Sequence, residues 1–201
     1  MQHIPETIHV VGIGGTLRDG STSLAALKRS LAAAEQAGAT TELLDLNELR
    51  LPMFVPDTEL GDYDANVARF VETAKRADAM IWSTAGYHGS LAGVTKNAID
   101  FLEFVGDDER PYLHQRVIGM IATAGGELAA VNSINAMLHG VHALRGTAAP
   151  LFVAIPKAGQ FFDKQGNVID PKWAARLDQL GKLVVETARL FQPDRVLELA
   201  R

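Results

Sequence analysis

The 201-residue chain contains no cysteine. That absence excludes disulfides, a thiolate nucleophile and thiolate-held metal, and leaves the redox compartment open. It also lacks an excess of positive charge, with 19 Lys and Arg against 24 Asp and Glu. Nucleic-acid binding rests on a strong cationic field, so that class of partner is not expected. No apolar run approaches the ~20 residues of a membrane-spanning helix. The first residues show no basic start followed by an apolar stretch, so no secretory signal is expected either. These absences point to a cytoplasmic, metal-free protein without nucleic-acid or membrane partners. Aromatics are few, at 6%, but 47% of residues are hydrophobic. That suits one ordinary globular domain spanning residues 1–201.

What is present alternates. Short apolar runs at residues 8–11, 40–46, 79–84, 116–123 and 150–155 read as strands. Helical patterns at 23–37, up to about 76, 92–105, 128–144 and 171–191 separate them, and Gly38 stands where the first helix should stop. A proline-containing acidic stretch, 52–64, precedes the second helix. This spacing predicts parallel crossover units in a three-layer α/β sandwich. For a five-stranded parallel sheet in the order 2-1-3-4-5, ligands lie beyond the strand ends, where the order reverses. The loops after strands one, three and four meet there: GIGGTLRDGSTS, AGYHGSLAG and AGGE. All three are rich in glycine.

In the first loop, Gly15 and Gly20 keep the spacing of a nucleotide-triphosphate loop and Thr22 keeps its hydroxyl, but Ser21 replaces the lysine. The dinucleotide pattern Gly-x-Gly-x-x-Gly fails as well, because Leu17 occupies the third glycine position. Arg18 with the hydroxyls of Thr16, Ser21, Thr22 and Ser23, just ahead of a helix, suits a phosphate monoester better than a triphosphate. A blander reading makes Ser21 to Ser23 helix caps and Arg18 a solvated charge.

The segment STAGYHGSLAGVTKNAIDFL, residues 83–102, resembles the NADPH-dependent FMN reductase family, whose usual form is close to T-P-x-Y-N-G-S-x-P-G-x-x-K-N-A-I-D-W. Tyr87, Gly89, Ser90, Gly93, Lys96, Asn97, Ala98, Ile99 and Asp100 match in register. The first loop is similar to that family's G-S-x-R-x-x-S-x-N through Gly15, Thr16, Arg18 and Ser21, with Ser23 in place of Asn. The similarity runs over about residues 8–155. The strand-four region looks most like reductases that supply reduced flavin to two-component monooxygenases.

The resemblance implies a flavodoxin-like fold and an NAD(P)H:FMN oxidoreductase, with NADPH or NADH as donor. It places the FMN phosphate among Thr16, Arg18, Ser21, Thr22 and Ser23. Backbone groups of Ala85, Gly86, Tyr87 and His88 would face the ring edge, with Gly125 and Gly126 on its far side. Ala85 and Gly86 replace the family's usual proline and often acidic residue, which implies a less rigid loop. His88 replaces asparagine. Hydride transfer between nicotinamide and flavin needs no protein acid or base, so no residue is expected to be catalytic. Reduced flavin would leave or pass electrons to a small acceptor. The alternatives are a quinone, azo or metal-ion reductase with fixed FMN, and an electron carrier without NAD(P)H activity.

Lys96 and Asp100 are expected to form an i,i+4 pair. Asp45 and Asp78 receive no role. The helix at 128–144 has no Asp, Glu, Lys or Arg, and Asn132, Asn135, His139 and His142 share one stripe of it. Two histidines without a third ligand do not make a metal site. An uncharged stripe predicts a subunit contact, hence at least a homodimer, and the resemblance allows a dimer of dimers.

Overall fold

The computed structural model describes residues 7–191. The strands are β1 (His9–Gly14), β2 (Thr40–Asp45), β3 (Ala79–Tyr87), β4 (Ser90–Leu91), β5 (Val117–Ala124) and β6 (Thr147–Ile155). The helices are α1 (Thr22–Gln36), α2 (Leu46–Leu49), α3 (Ala65–Arg76), α4 (Gly93–Asp100), α5 (Ala129–Ala143) and α6 (Pro171–Ala188).

Five parallel strands run in the order β2-β1-β3-β5-β6, the expected 2-1-3-4-5 arrangement once the two-residue β4 is counted. β4 pairs antiparallel with the end of β3. Strand alternation divides the core. Val10, Ile81, Ile121 and Val153 face Leu27 of α1 and Leu180 and Val184 of α6. Their neighbours Val11, Met80, Trp82 and Met120 face the opposite layer, with Phe70 on α3 and Ile134, Met137 and Val141 on α5. The central strands β1, β3 and β5 are buried on both faces over most of their length, as a parallel sheet between helices requires.

Several elements end where the sequence places their signals. Gly38 follows α1, with its N–H on the Glu35 carbonyl and that of Ala39 on the Ala34 carbonyl, a Schellman closure. At the outer strand the pairing is broken: Ile118 faces Ala148 and Met120 faces Phe152, leaving three residues of β6 opposite one of β5. Pro150, which has no N–H to donate, lies in that bulge. The expected third helix is shorter than its sequence pattern, because α4 tightens into a 3-10 turn at Phe101–Val105.

The two unassigned aspartates have structural roles. Asp45 accepts the Asn47 N–H at 2.9 Å and so caps α2. Asp78 accepts the His9 N–H at 2.9 Å and pairs with Arg110 at 3.4 Å. Close by, Arg116 is fully buried, with no carboxylate partner among the described residues. It donates instead to the carbonyls of Lys75, Ala77, Arg110 and Tyr112 at 2.6–3.0 Å. Burial, with Arg110 adding to it, pulls the guanidinium down to about 10.

Candidate active site

The six helices start in two different ways. α2, α3 and α6 are each capped by an aspartate side chain: Asp45, Asp64 and Asp170. α1, α4 and α5 have no side-chain cap, and none carries an acidic residue in its first turn. These three follow the three glycine-rich loops. At α1 the first backbone bond is Ala25 N–H to the Ser21 carbonyl, and the N–H groups of Thr22, Ser23 and Leu24 have no acceptor among the described residues. Three unclaimed donors and the positive end of a 15-residue helix suit an anion.

A cavity of about 260 Å³ opens at that helix start. Thr16, Arg18, Ser21 and Thr22 line one end of it. Ala85, Gly86, Tyr87 and Gly125 line it as well, so eight of the eleven expected residues share one site. Three do not. Ser23 is fully buried, and its hydroxyl meets that of Ser21 at 2.8 Å, so it positions Ser21 and does not face the cavity. Its carbonyl also accepts the Ser83 hydroxyl at 2.7 Å, which ties α1 to β3. His88 and Gly126 are exposed outside the cavity lining.

The second loop corrects an expectation. Ala85, Gly86 and Tyr87 belong to β3, and only His88 and Gly89 form the turn back to β4. Both turn residues have left-handed backbones, with φ 48° and 85°, as a two-residue hairpin requires. The Thr84 hydroxyl accepts the Ala92 N–H at 3.0 Å and meets the Thr95 hydroxyl at 2.9 Å, which locks the hairpin to α4.

Gly86 explains the loss of the family's acidic residue. A Cβ there would lie 2.9 Å from the Ala129 carbonyl oxygen and 3.0 Å from the Ser133 hydroxyl. A glycine lets the start of α5 come down onto the end of β3, beside the cavity. Asn97 of the matched motif acts elsewhere: it donates to the Pro52 carbonyl at 2.7 Å and accepts the Phe54 N–H at 2.9 Å. That holds the 52–54 stretch against α4. Lys96 and Asp100 form the expected pair at 2.5 Å.

Thr123, Ala124, Ala158 and Gly159 also line the cavity and were missed by sequence reasoning. Thr123 is legible in principle, since it faces Ala85 across the β3–β5 ladder. Ala158 and Gly159 follow β6, away from the point where strand order reverses, so the topological rule gives no signal for them. At the rim, Lys157 and Glu127 form an exposed ion pair at 2.5 Å between the loops after β6 and β5.

The residues fit the phosphate end of a flavin mononucleotide by their donors. Free N–H groups, three hydroxyls and a guanidinium gather at one end, and a slot of backbone and small side chains continues from them. Comparison with known proteins agrees. The sequence model of the family described as NADPH-dependent FMN reductase matches residues 8–160. An NAD(P)H-dependent FMN reductase of Pseudomonas aeruginosa is 33% identical over 171 residues, 83% of this chain and 88% of that one. An NADPH azoreductase of a Bacillus species is 31% identical over 51% of this chain and 55% of its own. Among solved structures, the flavoenzyme NAD(P)H:(acceptor) oxidoreductase of Paracoccus denitrificans superposes with a TM-score of 0.67 at 22% identity, covering 91% of this chain and 97% of that one. That last likeness concerns the flavodoxin-like fold. On sequence and fold together, the chain belongs to the NADPH-dependent FMN reductase family.

Proposed function

We propose that this chain is an NAD(P)H-dependent reductase that delivers hydride to FMN held in the cavity between the ends of β1, β3 and β5. The reading is carried by the coincidence of the three uncapped helix starts with the three loops around that cavity. Thr16, Ser21 and Thr22 donate hydroxyls to the phosphate, and Arg18 pairs with its charge. Ser23 keeps Ser21 in place. Backbone groups of Ala85 to Tyr87 and of Gly125, which line the cavity, orient the ring, and Tyr87, half exposed at the edge, covers it. Bound FMN supplies the hydride acceptor and the two-electron store. No side chain is needed as acid or base for that transfer, and His88, outside the cavity lining, fits a turn residue.

The acceptor beyond flavin is a small molecule, or free reduced flavin handed to a partner monooxygenase. Fixed FMN serving quinone, azo or metal-ion reduction is the second reading, favoured by the azoreductase relative. The protein works in the cytoplasm as one domain spanning residues 1–201. Among the described residues no helix is long and apolar enough to cross a membrane.

The chain pairs through α4 and α5 into a homodimer or a dimer of dimers. On α5, Asn132, Asn135, His139 and His142 are exposed, with Val131 and Leu128 beside them, and the stripe carries no formal charge apart from its histidines. Light scattering at micromolar concentration should give at least twice the chain mass, and a monomer mass would remove this part.

The deciding experiment is steady-state oxidation of NADPH and NADH with and without added FMN. Turnover that rises with FMN and survives exhaustive chelation is expected. FMN binding without any oxidation of either nucleotide would leave an electron carrier instead.

A further inference from the structure

A second cavity, of about 470 Å³, lies on the outer side of α1. It shares Ser21 with the cavity described above and reaches Gly20, so the two meet at the phosphate loop. Leu24 and Ala25 of α1 form one wall, and residues 165–168, between β6 and α6, form the other.

That second wall is preformed. The Asp163 carboxylate accepts the N–H groups of Gln165 and Asn167 at 2.9 and 2.7 Å and the Asn167 side-chain amide at 2.9 Å. The Asn167 bonds hold the Asp163 carboxyl below its usual range, so the turn is set at neutral pH. Phe162 then bridges to Val168 in antiparallel fashion.

The lining is chemically mixed. Leu24, Ala25 and Val168 offer apolar contact to a flat base. The Gln165 side-chain amide has no partner among the described residues and presents the donor and acceptor that read the N6/N7 edge of adenine. Lys28 and Arg29 make one edge positive. Arg29 is committed to Asp178 at 2.7 Å, whereas Lys28 is exposed with no ion pair among the described residues. A cavity of this size is large enough for a nucleoside phosphate.

We propose that this cavity receives the adenylate half of a flavin dinucleotide, so that the chain binds FAD as well as FMN. The inference rests on the reading of residues 15–22 as the flavin-phosphate loop. The diphosphate passes over Gly20 and Ser21, Lys28 neutralises the adenylate phosphate, and the base lies between α1 and the 165–168 wall.

The test is flavin-fluorescence titration of wild type, Ala25→Trp and Lys28→Glu with FMN and with FAD, alongside direct binding of AMP. Ala25→Trp fills the cavity and Lys28→Glu reverses its edge. Each should weaken FAD binding by about tenfold or more while leaving FMN binding unchanged, which also certifies the fold. Unchanged FAD affinity in both variants overturns the proposal, as do equal losses for FMN and FAD. AMP binding that both variants abolish while FAD is unaffected makes this a free-nucleotide site and overturns it too. A wild type that binds neither flavin overturns the reading of the phosphate loop itself, and this proposal with it.

Discussion

Thr22 at the start of α1 and Thr123 near the end of β5 are joined by a hydroxyl–hydroxyl hydrogen bond of 2.9 Å across 101 residues of sequence. Both line the same cavity, so the bond fixes the start of α1, with its unclaimed N–H groups, against the strand beyond it. Thr123→Val keeps the shape and removes the bond. One neutral hydrogen bond contributes about 0.5–1.5 kcal/mol, so FMN affinity should fall about 2- to 13-fold. Titration beside a thermal melt checks this, and a lower melting temperature with unchanged affinity would make the bond purely structural.

Arg18 is exposed at the mouth of the same cavity. A charge-assisted bond to phosphate contributes about 1.5–3 kcal/mol. Arg18→Ala should therefore weaken FMN binding by about 10- to 150-fold. Riboflavin lacks the phosphate, so its weaker binding should be insensitive to the change. Equal losses for both flavins would remove the assignment.

His88 holds a left-handed backbone at φ 48° in the hairpin turn. Asparagine tolerates that conformation better than most residues, which gives a physical reason for the family's usual choice. Histidine is itself enriched in that backbone region, so His88→Asn should raise stability by no more than about 0.5 kcal/mol, with NADPH oxidation unchanged. Urea unfolding and steady-state rates measure both, and a large loss of turnover would reveal a chemical role for the imidazole.

Arg116 supplies donors to four backbone carbonyls from the α3–β3 junction and the segment before β5. Arg116→Met fills similar space and leaves those carbonyls short of donors. Stability should fall by about 2–4 kcal/mol, read from the denaturant midpoint. Arg116→Lys should recover only part of it, because an ammonium lacks the planar fork of donors. Full recovery by lysine would mean that charge alone matters there.

Much of this was readable in the chain itself. Strand periodicity with glycine and proline punctuation fixes element order, and element order places three loops together. The hairpin was harder. Ala85 and Gly86 look like loop residues because glycine and alanine have low strand propensity, yet both pair with β5, and Gly86 also with β4, which holds them extended. Ser23 looked like a ligand because it is a hydroxyl beside two others. Only helical phase, which turns it into the sheet, shows otherwise. Ala158 and Gly159 carry no polar side chain, and their place at the cavity comes from the sheet bringing the end of β6 beside β5.

The interrupted outer strand matters for how this molecule behaves in a crowd. A straight strand at a sheet margin offers a row of free donors and acceptors on which a neighbouring molecule's strand can build. In β6 that row is cut midway: residues 149–151 buckle out of step with β5, and Pro150 withholds a donor. The half-exposed Phe152 directly follows the break, on a margin that presents no continuous template. That margin of the sheet is thereby shielded against edge-to-edge growth into aggregates.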